Sequence, residues 1–404
     1  MANDDGMLSG LLRASHTATL DDLPRMVTEH AQREELYDPV IYLADLQQEV
    51  LRPLLEDTHM GERSRAEQIK IDGTVPGLAF RDVEPVAGTS GWSGRPSSGQ
   101  HQETDQPRLW VPILGGAERI GVLGVTVSHH TETSEARALA LASLVALLVM
   151  SLRLNSDTYA YVVRVREMSL AAELQWTLMP PLTFANETVV VSGALEPAYE
   201  VGGDAFDYSV VGKTAHLYIF DAMGHDTSAG LVASIVMGSC RNNRRRGVGL
   251  VETSQAIDAA VGQQFQDRFA TGILAQLNIE SGILNWVNRG HPPPLVIRQG
   301  RWITSLECPP TLPMGMGLED EPVLCQHQLE PGDRLLFYTD GVVEAHSPGA
   351  EPFGLERFTD FIVRREADGL SAPETLRRLI HALLEYQNGE LQDDATVLLT
   401  EWRP

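Results

Sequence analysis

Short apolar segments of strand length dominate the C-terminal half of the chain, and longer segments with helical spacing interrupt them in two places. The predicted strands are 188–195, 207–211, 215–220, 272–279, 283–287, 295–298, 323–329, 335–339 and 395–401. The predicted helices are 227–246, 250–269, 354–366 and 372–387. Because strands and helices do not alternate regularly, we predict antiparallel sheets with helices outside them, an α+β sandwich.

The N-terminal half is predicted to contain a β-hairpin followed by a long apolar helix. Residues 108–114 and 120–127 read as strands around a turn at 115–118. The apolar run 138–154 follows, and its uncharged part between Arg137 and Arg153 is shorter than the roughly 20 residues that span a membrane. We therefore predict a buried helix or a dimer interface, and no membrane as a partner.

Two further segments flank this region. Residues 1–35 are polar and acidic, and we predict that they are partly disordered. Residues 157–178 carry apolar side chains at helical spacing, and Pro180 and Pro181 end the segment. This predicts a connecting helix, which either pairs with a second copy as a short coiled coil or packs on its own domain. The predicted division of the chain is 1–35, 36–154, 155–181 and 182–404.

Charge and cysteine content limit the cellular compartments and the classes of binding partner that fit this chain. A formal charge of −24 argues against nucleic acid and anionic membrane as main partners. Cys240, Cys308 and Cys325 are odd in number and lack metal-ligand spacing, which favours a reducing cytoplasm. The N-terminus, with Asp4 and Asp5, has no basic segment before an apolar core, so no signal peptide is predicted.

Carboxylates stand at the ends of several apolar strands. Asp204 follows the pair Gly202-Gly203, and Asp221 ends a strand that is apolar on both faces. Asp340 ends another buried strand, and Asp393 precedes the last one. A buried carboxylate is costly unless a positive group meets it, and no Lys or Arg directly follows Asp221. Because hard cations prefer carboxylate and backbone oxygens, the pattern predicts a site for divalent cations.

The order of these motifs resembles that of the metal-dependent serine/threonine protein phosphatases. The motifs are Gly-Gly-Asp-x-x-Asp at 202–207, Asp-x-Met-Gly-His at 221–225, Asn-x-Gly-His-Pro-Pro-Pro at 288–294, Tyr-Thr-Asp-Gly-x-x-Glu-Ala at 338–345 and Asp-Asp-x-Thr at 393–396. Within that family they look like the bacterial sporulation-phosphatase (SpoIIE) type, which is related to the phosphatase 2C fold. The resemblance covers about residues 178–402 and implies an αββα sandwich.

The resemblance also implies a centre of two divalent cations, Mn²⁺ or Mg²⁺. Asp221 would bridge the ions, Asp204 would bind the same centre, and Asp340 and Asp393 would complete the ligand shell of the second ion. Ala222 would offer its backbone carbonyl. Such cations neutralise phosphoryl oxygens and lower the pKa of a shared water, so that no protein nucleophile is needed. Further positions that match the family without an assigned role are Asp207, Asn288, His291, Glu344 and Asp394.

Two histidines and three departures from the family bear on the chemistry. His225 or His291 is a candidate acid for the leaving oxygen, although a structural hydrogen bond is the preferred interpretation of His291. Ala222 replaces a glycine of the eukaryotic relatives, and its Cβ would penalise a positive φ. Asp226 adds negative charge, and Arg289 is a candidate contact for phosphate. We expect an active enzyme because all four acids are present.

The N-terminal region resembles a GAF domain, a small sensory fold, and the best match lies at 108–128. This implies a small-molecule ligand or a role in dimerisation. Enzymes that look like this one dephosphorylate a serine or threonine of an anti-anti-sigma (STAS-type) protein and so act on a sigma factor through an anti-sigma kinase. We therefore expect a cytoplasmic homodimer in which the sensory domain sets the activity through the connecting helix.

Three alternatives compete with this interpretation. A phosphatase module without activity would bind a phosphoprotein or a signalling partner, and Ala222 and Asp226 motivate that alternative. Cys240 and Arg246 have the spacing of a thiol phosphatase, but Cys240 falls late in a predicted helix and not at an N-terminus that would lower its pKa. The Gly-Gly-Asp run is shared with diguanylate cyclases, but Ala205 replaces the following glutamate, and that fold has nothing like the later acids.

Overall fold

A computed structural model describes residues 6–56, 68–89, 107–200, 202–224, 226–309, 311–318, 321–346, 351–388, 391 and 393–403. The chain divides into two compact units, Met1–Arg166 and Glu167–Pro404. Each unit has its own buried apolar core. The boundary falls inside the segment that the sequence predicts as a connecting helix.

The first unit is built on a six-stranded antiparallel sheet. Its strands are β1 (Leu36–Ala44), β2 (Val50–Pro53), β3 (Ile69–Lys70), β4 (Val86–Thr89), β5 (Pro107–Gly115) and β6 (Glu118–Val127), in the order β3-β2-β1-β6-β5-β4. Its helices are α1 (Met7–Ala14), α2 (Leu23–Ala31), α3 (Val75–Asp82), α4 (Glu132–Leu152) and α5 (Thr158–Val163). The predicted hairpin is confirmed as β5 and β6, whereas the assignment to the GAF fold stays a prediction.

Helix α4 covers one face of this sheet. Ala138, Leu141, Val145 and Val149 are buried in one core together with residues of β5 and β6. This confirms the prediction of a buried helix. Within the described ranges, Glu132–Asn155 is the one helical stretch long and apolar enough to span a membrane, and its buried side is the side that packs on the sheet.

The described parts of the flanking segments differ in detail from what the sequence predicts. Within residues 6–35, α1 and α2 bury Leu11, Leu23 and Val27 in the core of the first unit. The connecting segment is not one helix, since α5 ends at Val163 and α6 (Leu170–Leu178) begins after a break. The guanidinium of Arg52 donates to the carbonyls of residues 161, 162 and 164. These bonds satisfy the terminal carbonyls of α5 and so end the helix there.

The second unit contains two antiparallel sheets. The first has the order β15-β12-β11-β10-β9 and the second β14-β13-β16-β17-β8-β7. The strands are β7 (Thr183–Ala185), β8 (Val189–Glu196), β9 (Asp204–Val211), β10 (Thr214–Ala222), β11 (Ala270–Asn278), β12 (Ile283–Arg289), β13 (Leu295–Arg298), β14 (Trp302–Ser305), β15 (Cys325–Gln328), β16 (Arg334–Tyr338) and β17 (Ala395–Trp402). After α6, the helices are α7 (Thr227–Arg245), α8 (Leu250–Gln264), α9 (Asp340–Glu344), α10 (Gly354–Ala367) and α11 (Ala372–Tyr386).

Alternation along the strands creates three apolar layers in this unit. Phe206, Ile219, Phe337 and Leu398 come from both sheets and share the central core. Residues of the opposite parity on the first sheet pack against α7 and α8, and those on the second sheet pack against α10 and α11. The unit is therefore an αββα sandwich, and the predicted α+β class with helices outside antiparallel sheets is confirmed.

Two of the three cysteines form a disulfide. Cys308 and Cys325 are bonded with their Cα atoms 6.0 Å apart, whereas the sequence favoured reduced cysteines throughout. The pairing of edge strand β15 with β12 places Cys325 beside the segment that leaves β14. Cys240 is free and buried.

Gly193 lies at a close contact between the two sheets. It lies on β8, and a Cβ at this position would lie 2.2 Å from Cζ of Phe206 on β9. We expect Gly193→Ala to lower the free energy of unfolding by about 1–3 kcal/mol through overpacking, measured by urea denaturation. Gly238→Ala in α7 is the matched control, because nothing lies within 4 Å of the added Cβ. A loss of stability in the control as large as in Gly193→Ala would contradict the assignment of the effect to the inter-sheet contact.

Candidate metal centre

The hairpin of β9 and β10 brings the first two acids together. Asp204 and Asp221 are directly paired across the strands, and the amide of Ala222 donates to the carbonyl of Gly203 at 3.1 Å. A Cβ at position 203 would lie 2.0 Å from the carbonyl oxygen of Ala222. The second glycine of the Gly-Gly-Asp motif is therefore required because two backbones meet there.

The other two acids come from the second sheet. β16 ends at Tyr338 and Asp340 begins the short helix α9, while Asp393 directly precedes Asp394 and β17. The two chain segments approach closely, since a Cβ on Gly341 would lie 2.0 Å from the carbonyl oxygen of Asp394. Adjacent strands of one sheet thus carry Asp340 and Asp393 to the same end of the sandwich.

The electrostatics show that the four acids converge. Burial, together with the charges of Asp340, Asp393 and Asp394, raises the pKa of Asp221 to about 7. Burial, followed by Asp221 and Asp394, raises the pKa of Asp204 well above its usual value. Burial also raises the pKa of Asp340, with further contributions from Glu344 and Asp393. Carboxylates from both sheets therefore repel one another across one small space.

The residues present fit hard divalent cations in their chemistry. Buried carboxylates whose pKa is raised by like charges are stabilised when a cation meets them, and the carbonyl of Ala222 is a further oxygen donor beside them. In this conformation of the described chain, no three acidic, histidine or cysteine side chains are grouped closely enough to hold an ion. The fold thus brings the acids to one end of the sandwich without closing them into a ligand cage in this conformation.

Asp394 holds the glycine loop. One oxygen, Oδ2, accepts the backbone amides of Gly202, Gly203 and Asp204 at 2.8, 2.7 and 3.2 Å. Burial raises its pKa, although these three bonds act in the opposite direction. Asp394 thereby joins the second sheet to the loop that positions Asp204.

Two other residues that position Asp204 were missed from the sequence. Thr339 donates its hydroxyl to Oδ2 of Asp204 at 2.7 Å and accepts the amide of Thr396 at 2.9 Å. Gln175 on α6 donates from Nε2 to the carbonyl of Asp204 at 2.7 Å. The threonine precedes the Asp-Gly pair of a recognised motif, which is a usable signal, whereas nothing around Gln175 in the sequence indicates its partner.

Asp207 belongs to a separate ion-pair cluster. Its carboxylate is bound by Arg241 at 2.8 Å and by Arg244 at 2.5 Å, both on α7. Cys240 lies beside this cluster, and burial raises the pKa of its thiol. A fully buried thiol with a raised pKa is no nucleophile, which removes the thiol-phosphatase alternative.

The two charged departures from the family have structural partners. Asp226 caps α7 by accepting the amide of Ala229 at 2.9 Å, and it pairs with Arg268 at 2.6 Å. Its charge is therefore matched by Arg268. Arg289 is 2% exposed and donates from Nε to the carbonyl of Leu312, so the prediction that it contacts phosphate is wrong.

Two of the remaining predicted site residues lie in described elements next to the acids, and one lies outside the described residues. Ala222 continues β10, and the positive φ is taken by Gly224, so the expected penalty does not arise. Glu344 lies on α9, one turn after Asp340. His225 lies outside the described residues, and its role stays a prediction.

His291 is held in the turn after β12. Asn288 donates to its carbonyl and accepts its amide, both at 2.8 Å. The imidazole is 5% exposed, with Nδ1 at 2.8 Å from the hydroxyl of Thr271 and Nε2 at 3.1 Å from the carbonyl of Tyr338. Burial lowers its pKa to about 3. The structural interpretation of His291 is therefore confirmed.

Comparison with known proteins finds a family match that lies within the second unit. Residues 212–403 match the model of the family described as Stage II sporulation protein E (SpoIIE). The phosphoserine phosphatase RsbU of Bacillus subtilis is 23% identical over 235 residues, which cover 58% of this chain and 69% of RsbU. The phosphoserine phosphatase RsbP of the same organism is 26% identical over 186 residues, which cover 44% of this chain and 45% of RsbP.

A solved structure of the RsbU and RsbW domains of a Mycobacterium tuberculosis protein is also similar. It is 25% identical, with a TM-score of 0.47, and the match covers 55% of this chain and 62% of that one. The three relatives thus differ in how much of their own length is matched, from 45% to 69%.

The raised pKa of Asp221 predicts that the free energy of unfolding of the metal-free protein falls as pH rises. The folded state keeps a proton that the unfolded state releases between about pH 4 and pH 7, so stability falls as pH rises through this range. We expect Asp221→Asn to raise the free energy of unfolding at pH 8 by about 1–3 kcal/mol, and to raise it much less at pH 4.5. Urea denaturation in EDTA at both pH values measures this.

Asp207→Asn is the matched control on the adjacent strand. Because Asp207 neutralises two arginines, its substitution should destabilise the protein at pH 8 by about 3–5 kcal/mol. Destabilisation of the protein by both substitutions at pH 8 would show that Asp221 does not carry an unfavourable charge.

Proposed function

We propose that this protein, whose residues 212–403 match the model of the SpoIIE family, hydrolyses phosphoserine or phosphothreonine in a partner protein. Two divalent cations, Mn²⁺ or Mg²⁺, would be held by Asp204, Asp221, Asp340 and Asp393. The observation that carries the proposal is the convergence of these acids from two sheets, with the pKa of Asp221 raised to about 7 by the other carboxylates and by burial.

Each of the residues around the proposed centre has a defined role. Asp221 is paired with Asp204 across the strands and would be the shared ligand of the two cations, with the carbonyl of Ala222 beside it. Thr339 and Asp394 hold Asp204 and its loop in place before any ion arrives. When bound, the cations neutralise the phosphoryl oxygens and lower the pKa of a water. The chain itself therefore supplies binding and orientation, and no side chain acts as nucleophile.

The substrate we propose is a phosphorylated anti-anti-sigma (STAS-type) protein in a partner-switching pathway. The relatives RsbU and RsbP are both named phosphoserine phosphatases, which supports phosphoserine as the group that is hydrolysed. We place the reaction in the cytoplasm. The first unit acts as a GAF-like sensor, with a small-molecule ligand or a dimer contact as its input.

A module without activity is the less supported alternative. It was motivated by Ala222 and Asp226, and the structure gives both residues an ordinary role. Ala222 has strand geometry, and Asp226 is a helix cap paired with Arg268. Neither residue therefore disables the centre.

Hydrolysis of p-nitrophenyl phosphate and of a phosphoserine peptide with Mn²⁺ tests the proposal. We expect Asp221→Asn and Asp340→Asn to lower kcat/KM by roughly a thousandfold or more, since each removes a charge that holds the cations. EDTA should abolish activity, and added Mn²⁺ should restore it. Asp360→Asn on α10 is the control, because Asp360 is exposed in a surface pair with Arg364. Equal rates for wild type and Asp221→Asn would support the module without activity.

A further inference from the structure

We infer that His291 is a positioning residue that fixes the distance between the two acid-bearing sheets, and that it is not the acid for the leaving group. The inference rests on the proposed function, since it concerns how the chain holds the centre. It extends that function to a residue that touches neither substrate nor ion.

The imidazole bridges the two sheets beside the acids. On the first sheet, Thr271 is the direct cross-strand partner of Asp221, and its hydroxyl lies 2.8 Å from Nδ1 of His291. On the second sheet, the carbonyl of Tyr338 lies 3.1 Å from Nε2, two residues before Asp340. One buried ring therefore connects β11, which pairs with the strand that carries Asp221, to the end of β16, which leads to Asp340.

The chemistry of the two partners assigns the proton. A carbonyl oxygen only accepts hydrogen bonds, so Nε2 carries the hydrogen that Tyr338 receives. In the neutral ring Nδ1 is then an acceptor, and the hydroxyl of Thr271 donates to it. Both ring nitrogens are committed to the protein, and neither is available to a leaving oxygen. The surrounding burial keeps the ring neutral, since it lowers the pKa.

The turn that carries His291 presets its orientation. Asn288 closes a ring of two hydrogen bonds on the backbone of His291, and Gly290 takes a positive φ of 69° between them. The next residue is therefore aimed into the gap between the sheets by its own backbone. The Asn-x-Gly-His motif therefore has a positioning role. Its turn fixes the orientation of the imidazole, and the imidazole fixes the distance between the acids of the two sheets.

Cation affinity is the property that this role should control. We expect His291→Phe, which keeps the ring shape and loses both bonds, to raise the Kd for Mn²⁺ by about 10- to 100-fold, as for other residues that orient metal ligands. Thr271→Val should raise it about fivefold through the loss of one hydrogen bond, and Thr271→Ser should restore it nearly to wild type. Isothermal titration of MnCl₂ into the full-length protein measures each Kd.

His216→Phe is the matched control. His216 lies on β10, five residues before Asp221, and its Nδ1 is bonded to the hydroxyl of Tyr218. The same substitution there should leave the Kd for Mn²⁺ unchanged. At saturating Mn²⁺, His291→Phe should lower kcat by the same factor for p-nitrophenyl phosphate and for phenyl phosphate, because a positioning residue does not sense the leaving group.

The outcomes separate the two proposals. An unchanged Kd in His291→Phe, with kcat lost only for phenyl phosphate, would identify His291 as the leaving-group acid and overturn the inference alone. If His291→Phe fails to fold, equal Kd values for Thr271→Val and Thr271→Ser overturn it. Wild-type protein that binds no Mn²⁺ would overturn the proposed function and the inference with it.

Discussion

Repulsion between carboxylates that the fold forces together is the constraint on which the site depends. Asp204 and Asp221 are opposite each other on adjacent strands, and the second sheet adds Asp340 and Asp393 at the same end. Such an arrangement is unfavourable in the folded state, as the raised pKa of Asp221 shows. It persists because the two apolar cores behind it, between the sheets and under the helices, stabilise the strands that carry the acids.

The polar contacts around the acids share one purpose, which is to fix backbone at strand ends where the ladders stop. Asp394 binds three consecutive amides, and Thr339 links β16 to both Asp204 and β17. His291 spans the sheets beside them. Each of these groups is buried and hydrogen-bonded, so movement of one strand end would leave a polar atom without a partner. The cost of that loss keeps the site in one geometry.

Sequence reasoning found the acids because each follows or precedes an apolar run, and it found the sandwich because strands and helices are segregated. It could not predict features that depend on contacts between residues far apart in the sequence. Gln175 reaches Asp204 from another element, and the disulfide of Cys308 and Cys325 depends on the pairing of the edge strand β15 with β12. The connecting helix was mispredicted for the same reason, because Arg52, more than a hundred residues earlier, takes the carbonyls that end α5. Local periodicity carries no information about such partners.

Asp204 and Asp207 show how position within a strand decides the role of an acid. They lie three residues apart on β9, so their side chains point to opposite faces of the sheet. Asp204 shares the face of Phe206, which lies in the core between the sheets, and so it faces the sheet that carries the other acids. Asp207 shares the face of Ala205, which packs toward α7, and there it meets Arg241 and Arg244. Asp204 is thus a carboxylate whose charge is unfavourable until a cation stabilises it, whereas Asp207 is neutralised in a structural ion pair. The two aspartates of one motif differ because alternation along a single strand gives them different neighbours.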